Sequence, residues 1–182
     1  SSDTTAPSGS ISINSGASYT NSSTVTLTLS ATDSVGVTGY YISDSSTIPS
    51  ASASGWTSVT STTSYSASVS YTLSSGDGSK MVYVWFKDSS GNVSNAASDD
   101  ITLDTTAPAI NITSLTSDAT YTATSNTISL GGSASDGTNG ISSVTWSSSA
   151  GGSGTAIGTT SWTISSVSLS NGDNTITVTA KD

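Results

Sequence analysis

Cysteine, histidine, arginine and glutamate are all missing from this 182-residue chain, and lysine occurs only as Lys80, Lys87 and Lys181. Without cysteine there is no disulfide framework, no thiolate zinc site and no thiol nucleophile. Without histidine or glutamate, a serine nucleophile lacks its usual base, so catalysis by the common hydrolytic arrangements is excluded on composition. The scarcity of cations argues against nucleic acid as a partner, because phosphate recognition needs clustered Lys or Arg. No run approaches the roughly 18 apolar residues that span a bilayer, so membrane insertion is not expected. The start, Ser1-Ser2-Asp3, carries neither a basic nor an apolar segment, and the chain reads as a piece of a longer one.

What is abundant is hydroxyl and aspartate. There are 47 Ser, 32 Thr and 12 acidic residues, all Asp, giving a net charge of -9. Hydrophobic residues reach only 32%, which by itself would suit disorder, but 4 Trp, 7 Tyr and regular Val, Ile and Leu alternation supply apolar surface for small β-domains. The negative charge makes a bound cation a more natural partner than an anion.

Asp3-Thr4-Thr5-Ala6-Pro7 recurs as Asp104-Thr105-Thr106-Ala107-Pro108, a spacing that suits one small all-β domain. Each copy is followed by a short alternation, Ile11 and Ile13 or Ile110 and Ile112. Thr24 to Ala31 then alternates with period two, which puts Val25, Leu27, Leu29 and Ala31 on one face. Its counterpart carries Ile128, Leu130 and Ala134. A polar turn with an aspartate, Asp33 or Asp136, precedes a third strand at 37–43 or 144–147. Later strands run from Met81 to Lys87 and from Thr175 to Lys181, each closing on Lys-Asp. The first unit continues through Ser89-Ser90-Gly91-Asn92 into a last strand at 98–103, whereas the second stops at Asp182, one strand short. No stretch shows a helical period.

The Asp-Thr-Thr-Ala-Pro starts, the Ala-x-Asp turns and Lys87-Asp88-Ser89-Ser90-Gly91-Asn92-Val93-Ser94 resemble bacterial immunoglobulin-like tandem repeats. The resemblance implies an all-β chain of two tandem immunoglobulin-like Greek-key β-sandwich domains, 1–103 and 104–182, the second lacking its last strand. It further implies a secreted or cell-surface setting and a non-catalytic spacer role, as in an adhesin stalk or an extracellular fibre, with neighbouring repeats of the same or another copy as partners. Two alternatives stand beside it. One is an accessory carbohydrate-binding module of an extracellular enzyme. The other is a filament subunit assembled by donor-strand addition at the 175–180 strand.

The candidate site is a set of loop aspartates, because Ca2+ takes several oxygen ligands and the chain offers carboxylates, amides and hydroxyls but no imidazole. In such a sandwich the second-to-third strand turn and the last hairpin turn lie at the pole where the chain enters. Asp3, Asp33 and Asp88, with Asn92 nearby, are therefore expected together in the first unit, and Asp104, Asp136 and Asp182 take the corresponding positions of the second. Asp77 sits on a loop at the opposite pole and is expected near the Asp104 group. The competing reading is that these residues only cap their own turns. The duplicated Asp-Thr-Thr does not make an aspartic-protease dyad, since the third position is not Gly and the copies lie a domain apart. For a glycan, Trp56 in its Ser/Thr-rich loop is the candidate platform; Tyr83 and Trp85 are expected on an outer sheet face, and Trp146 and Trp162 inside the core.

Overall fold

The computed structural model describes residues 3–182. Among them the regular structure is all strand, without helix, and the chain divides into two compact units, Ser1–Thr105 and Thr106–Asp182. The division falls two residues beyond the boundary expected at Leu103.

In the first unit the strands are β1 (Ser8–Ile13), β2 (Tyr19–Thr20), β3 (Thr24–Ser43), β4 (Thr57–Thr72), β5 (Gly78–Asp88) and β6 (Ala97–Leu103). They form one sheet in the order β1-β3-β5-β6-β2, with β4 also paired to β3. Two strands were expected where β3 runs unbroken for 20 residues. Its first half lies between β1 and β4 and its second half between β4 and β5, so the sheet folds over on itself. The fold-over is local. Register slips between Thr32 and Val37, and Gly36 adopts φ 130°, a backbone that side chains rarely tolerate. The Asp33 carboxylate accepts the Val35 and Gly36 N–H groups at 2.9 and 2.8 Å, which satisfies the backbone through the bend and lets the strand continue.

The period-two pattern places the core. Val25, Leu27, Leu29 and Ala31 pack with Val82, Val84 and Phe86 of β5 and with Ile101 and Leu103 of β6 in a single buried cluster. The far end of β5 is held by Ser94, which is buried: its hydroxyl accepts the Phe86 N–H at 2.9 Å and donates to the Asn95 carbonyl at 2.7 Å. Ser94→Ala leaves the Phe86 N–H buried without its acceptor, and urea denaturation should report a loss of about 1–3 kcal/mol. A loss below about 0.5 kcal/mol would show that the bond is replaced by solvent.

The second unit comprises β7 (Ala109–Ser114), β8 (Thr127–Ser135), β9 (Ser143–Ser148), β10 (Ser153–Thr155), β11 (Ser161–Ser168) and β12 (Ile176–Lys181). They make two three-stranded sheets, β11-β8-β7 and β10-β9-β12. Leu130, Ala134, Val144, Ala156, Trp162, Ile164 and Val167 are buried together. Trp146, on the same face of β9 as Val144, packs against this cluster from a half-buried position at its edge, where Gly152 and Gly154 lie close to the indole. The three β12 residues Ile176, Val178 and Ala180 are also only half-buried. In the first unit the corresponding Val82, Val84 and Phe86 are closed over completely, with β6 paired alongside β5.

Candidate metal centre

Three carboxylates of the first unit arrive from distant parts of the sequence. Asp3 precedes β1, Asp33 sits at the bend of β3, and Asp88 ends β5. Each offers one carboxylate oxygen, and these oxygens all lie within 4.8 Å of one another. Asp33 is 8% exposed and Asp88 2%.

Each side chain is oriented by its own turn. Asp3 Oδ1 accepts the Thr5 N–H at 3.1 Å, and Asp33 Oδ1 is taken by Val35 and Gly36. Asp88 Oδ1 accepts the Ser90 and Asn92 N–H groups, both at 2.9 Å. The second oxygens differ. Asp88 Oδ2 receives the Asn92 amide at 2.7 Å, while Asp3 Oδ2 and Asp33 Oδ2 are buried without a hydrogen bond. Burial pushes the Asp88 carboxyl up, but hydrogen bonds from the Asn92 side chain and backbone and from the Ser90 N–H outweigh it and hold the pKa below the ordinary 3.8. Asp88 is therefore ionised at neutral pH. The unit's two lysines are engaged elsewhere: Lys80 donates to the Ser75 carbonyl at 3.1 Å and Lys87 to the Ala51 carbonyl at 2.9 Å.

Asn92 lies beside the three aspartates, as expected. Its amide bridges Asp88 Oδ2 and the Asp3 carbonyl, the latter at 3.1 Å, and so ties the entry segment to the β5–β6 turn. Asp77 lies on the loop before β5, where it accepts both the N–H and the hydroxyl of Thr105, at 2.8 and 2.7 Å. Asp104 is buried at the end of the first unit, its N–H donating to the Thr20 carbonyl at 2.9 Å. In the second unit Asp136 repeats the role of Asp33, accepting the Thr138 and Asn139 N–H groups at 2.9 and 3.2 Å, and Asp182 follows β12.

Trp56 lies against other side chains of its own unit. Its indole N–H donates to the Ser50 carbonyl at 2.9 Å, its ring meets Tyr41 edge-on at 5.7 Å, and the Lys87 ammonium sits 4.8 Å from its centroid. A layer that composition did not reveal lies on this outer face of the sheet. Tyr83 stacks on Trp85 at 6.0 Å and Tyr41 meets Trp85 edge-on at 6.2 Å. The segment 44–56 meets this face at Tyr41, through Gly55 and Trp56, and at Lys87, through Ala51, and Trp85 is fully buried outside the main core. The signal in the sequence was the 44–56 excursion itself, which the short 149–152 turn at the corresponding place in the second unit lacks. No family model and no curated protein matches this chain.

Proposed function

We propose that the chain is a non-catalytic structural spacer of a secreted bacterial surface protein, such as an adhesin stalk or extracellular fibre. The observation that carries this reading is mechanical. In the first unit the early strand β2 pairs in parallel with the last strand β6, Tyr19 opposite Thr102 and Thr20 opposite Leu103. The Thr102 N–H donates to the Ser18 carbonyl and the Asp104 N–H to the Thr20 carbonyl, each at 2.9 Å. Tension applied at the two ends of the unit pulls parallel neighbours in opposite directions along their length. Their hydrogen bonds are then loaded together and not opened one at a time. The supporting facts are a repeated unit with its own apolar cluster in each copy, a hydroxyl-rich surface, and a side-chain inventory without His, Cys, Glu or Arg.

Single-molecule stretching of the whole chain tests this. Two discrete unfolding events are expected, each releasing about 3.3–3.6 Å per unfolded residue. The event of the first unit should require the higher force, since the strand pairs described in the second unit are all antiparallel. A first unit that yields before the second, or extends without a distinct event, would sink the proposal.

A further inference from the structure

Beyond the spacer reading and independent of it, we propose that the outer edge of β4 is a self-association surface, on which two copies of this chain pair antiparallel about Val69. Among the described residues β4 pairs with β3 alone, so it ends the sheet along its length. Exposed edges are normally blunted by Lys, Pro or a bulge. Residues 57–72 contain no charged residue, no Pro and no Gly, and the register with β3 is unbroken from Thr72 back to Ser64. The second unit closes the equivalent edge. There β11 takes the place of β4, but Ile157 and Thr163 exchange hydrogen bonds at 2.8 and 2.9 Å across its outer side. A register slip between Ile164 and Val167, with Ser166 at φ 60°, interrupts the rest.

Alternation fixes which backbone groups are open. The Leu73 N–H donates to the Ser23 carbonyl at 2.8 Å. In an antiparallel ladder such bonds fall on every second residue, so Tyr65, Ala67, Val69 and Tyr71 spend theirs on β3, and Ser64, Ser66, Ser68, Ser70 and Thr72 turn theirs outward. Ser64 bears out this parity, because the Thr62 hydroxyl takes both its N–H and its carbonyl, at 3.3 and 2.9 Å. The open stretch is therefore 66–72, and its midpoint is Val69. A two-fold axis there sets Ser66 opposite Thr72 and Ser68 opposite Ser70, matching every outward N–H with an outward carbonyl of the second copy. On the inner face the same register puts Val69 on Val69 and Ala67 against Tyr71, small against large. Val69 and Tyr71 pack on the main cluster but stay half-buried, so pairing removes further apolar surface from water. A second copy is the occupant that this edge fits, since the strand is self-complementary and carries no charge to oppose its own image.

An interface of one strand pair is small and therefore weak, so the whole chain is followed by sedimentation velocity up to about millimolar concentration. Its mean mass should rise from monomer toward dimer and stop there. The double variant Ser68→Lys, Ser70→Lys changes two exposed positions and sets ammonium groups directly opposite one another across the axis. It should stay monomeric, although it lowers the net negative charge that keeps copies apart. Because the chain has no cysteine, the register can also be trapped. Ser66→Cys and Thr72→Cys, mixed under oxidised glutathione, should give a covalent dimer, since opposed residues lie within disulfide reach. Each variant alone should not, because like positions lie about 20 Å apart along the strands. An edge left to solvent, or kept for a strand of another protein, predicts a monomer at every concentration and overturns the proposal. A dimer that survives both lysines, or equal cross-linking in the single and mixed samples, overturns it as well.

Discussion

Trp162→Ala is expected to remove most of the stability of the second unit. The side chain is fully buried at the centre of a small cluster in which two of the other members, Ala134 and Ala156, contribute little volume. Its ring lies across β8 at Gly132, where a Cβ would come within 2.5 Å of Cζ2. Large-to-small changes of this kind cost about 3–5 kcal/mol. A domain of this size commands only about 0.05–0.15 kcal/mol per residue, so the loss is comparable with the whole. Urea denaturation followed on the β8 and β11 amides should show the transition moved to low denaturant or abolished. Trp162→Phe separates packing from polarity. The indole N–H is buried without an acceptor, so phenylalanine keeps most of the ring while removing an unsatisfied donor, and it should cost far less than alanine. Equal losses for the two variants would show that the ring does not fill this core.

Phe86→Ala should have a similar effect, about 3–5 kcal/mol, on the first unit. Phe86 is fully buried on β5, 6.3 Å from the Tyr65 ring, and lies directly over Gly9 of β1, where an added Cβ would collide with the ring edge and with the Ser30 carbonyl. The pair makes a thermodynamic cycle. Gly9→Ala alone should cost about 1–3 kcal/mol through overpacking. In the Phe86→Ala background much of that cost should vanish, because the cavity accepts the new methyl group, giving a coupling of about 0.5–3 kcal/mol. Additive losses would mean that the backbone contact with Ser30, and not the ring, excludes a side chain at Gly9.

Both predictions concern an aromatic ring resting on a strand glycine, and this arrangement marks where reading the residues in order reaches its limit. A glycine inside a strand pattern reads as a weak point. That Gly9 and Gly132 are the floors beneath Phe86 and Trp162 depends on which strands become neighbours, which is a long-range matter. Trp85 gives the converse case. Alternation along β5 correctly puts it on the face opposite Val84 and Phe86, yet it is as buried as they are, on a face where Tyr41 and Tyr83 flank its ring and 44–56 meets Tyr41 and Lys87. Trp146 shares the chemistry of Trp162 but stands half-buried at the edge of the same cluster, with the glycines of the β10 hairpin beside its ring.

The carboxylate cluster was legible to a similar degree. Asp3, Asp33 and Asp88 could be expected at one end of the first unit because each lies at a chain turn on the same side of the alternating strands. Their separation, the bridging of Asp3 and Asp88 by Asn92, and the unbonded inner oxygens of Asp3 and Asp33 could not, since these depend on how three loops settle against one another.

Two-residue periodicity, turn chemistry and an internal repeat are properties of neighbours along the chain, and they determined the all-β class, the recurrence of the strand pattern and the inward faces of β3 and β5. Only the tertiary structure decided that β3 passes unbroken from one layer to the next, that β2 lies parallel to β6, and which oxygens are left facing one another. Each of these depends on contacts between residues far apart in sequence, whose energies no local pattern encodes.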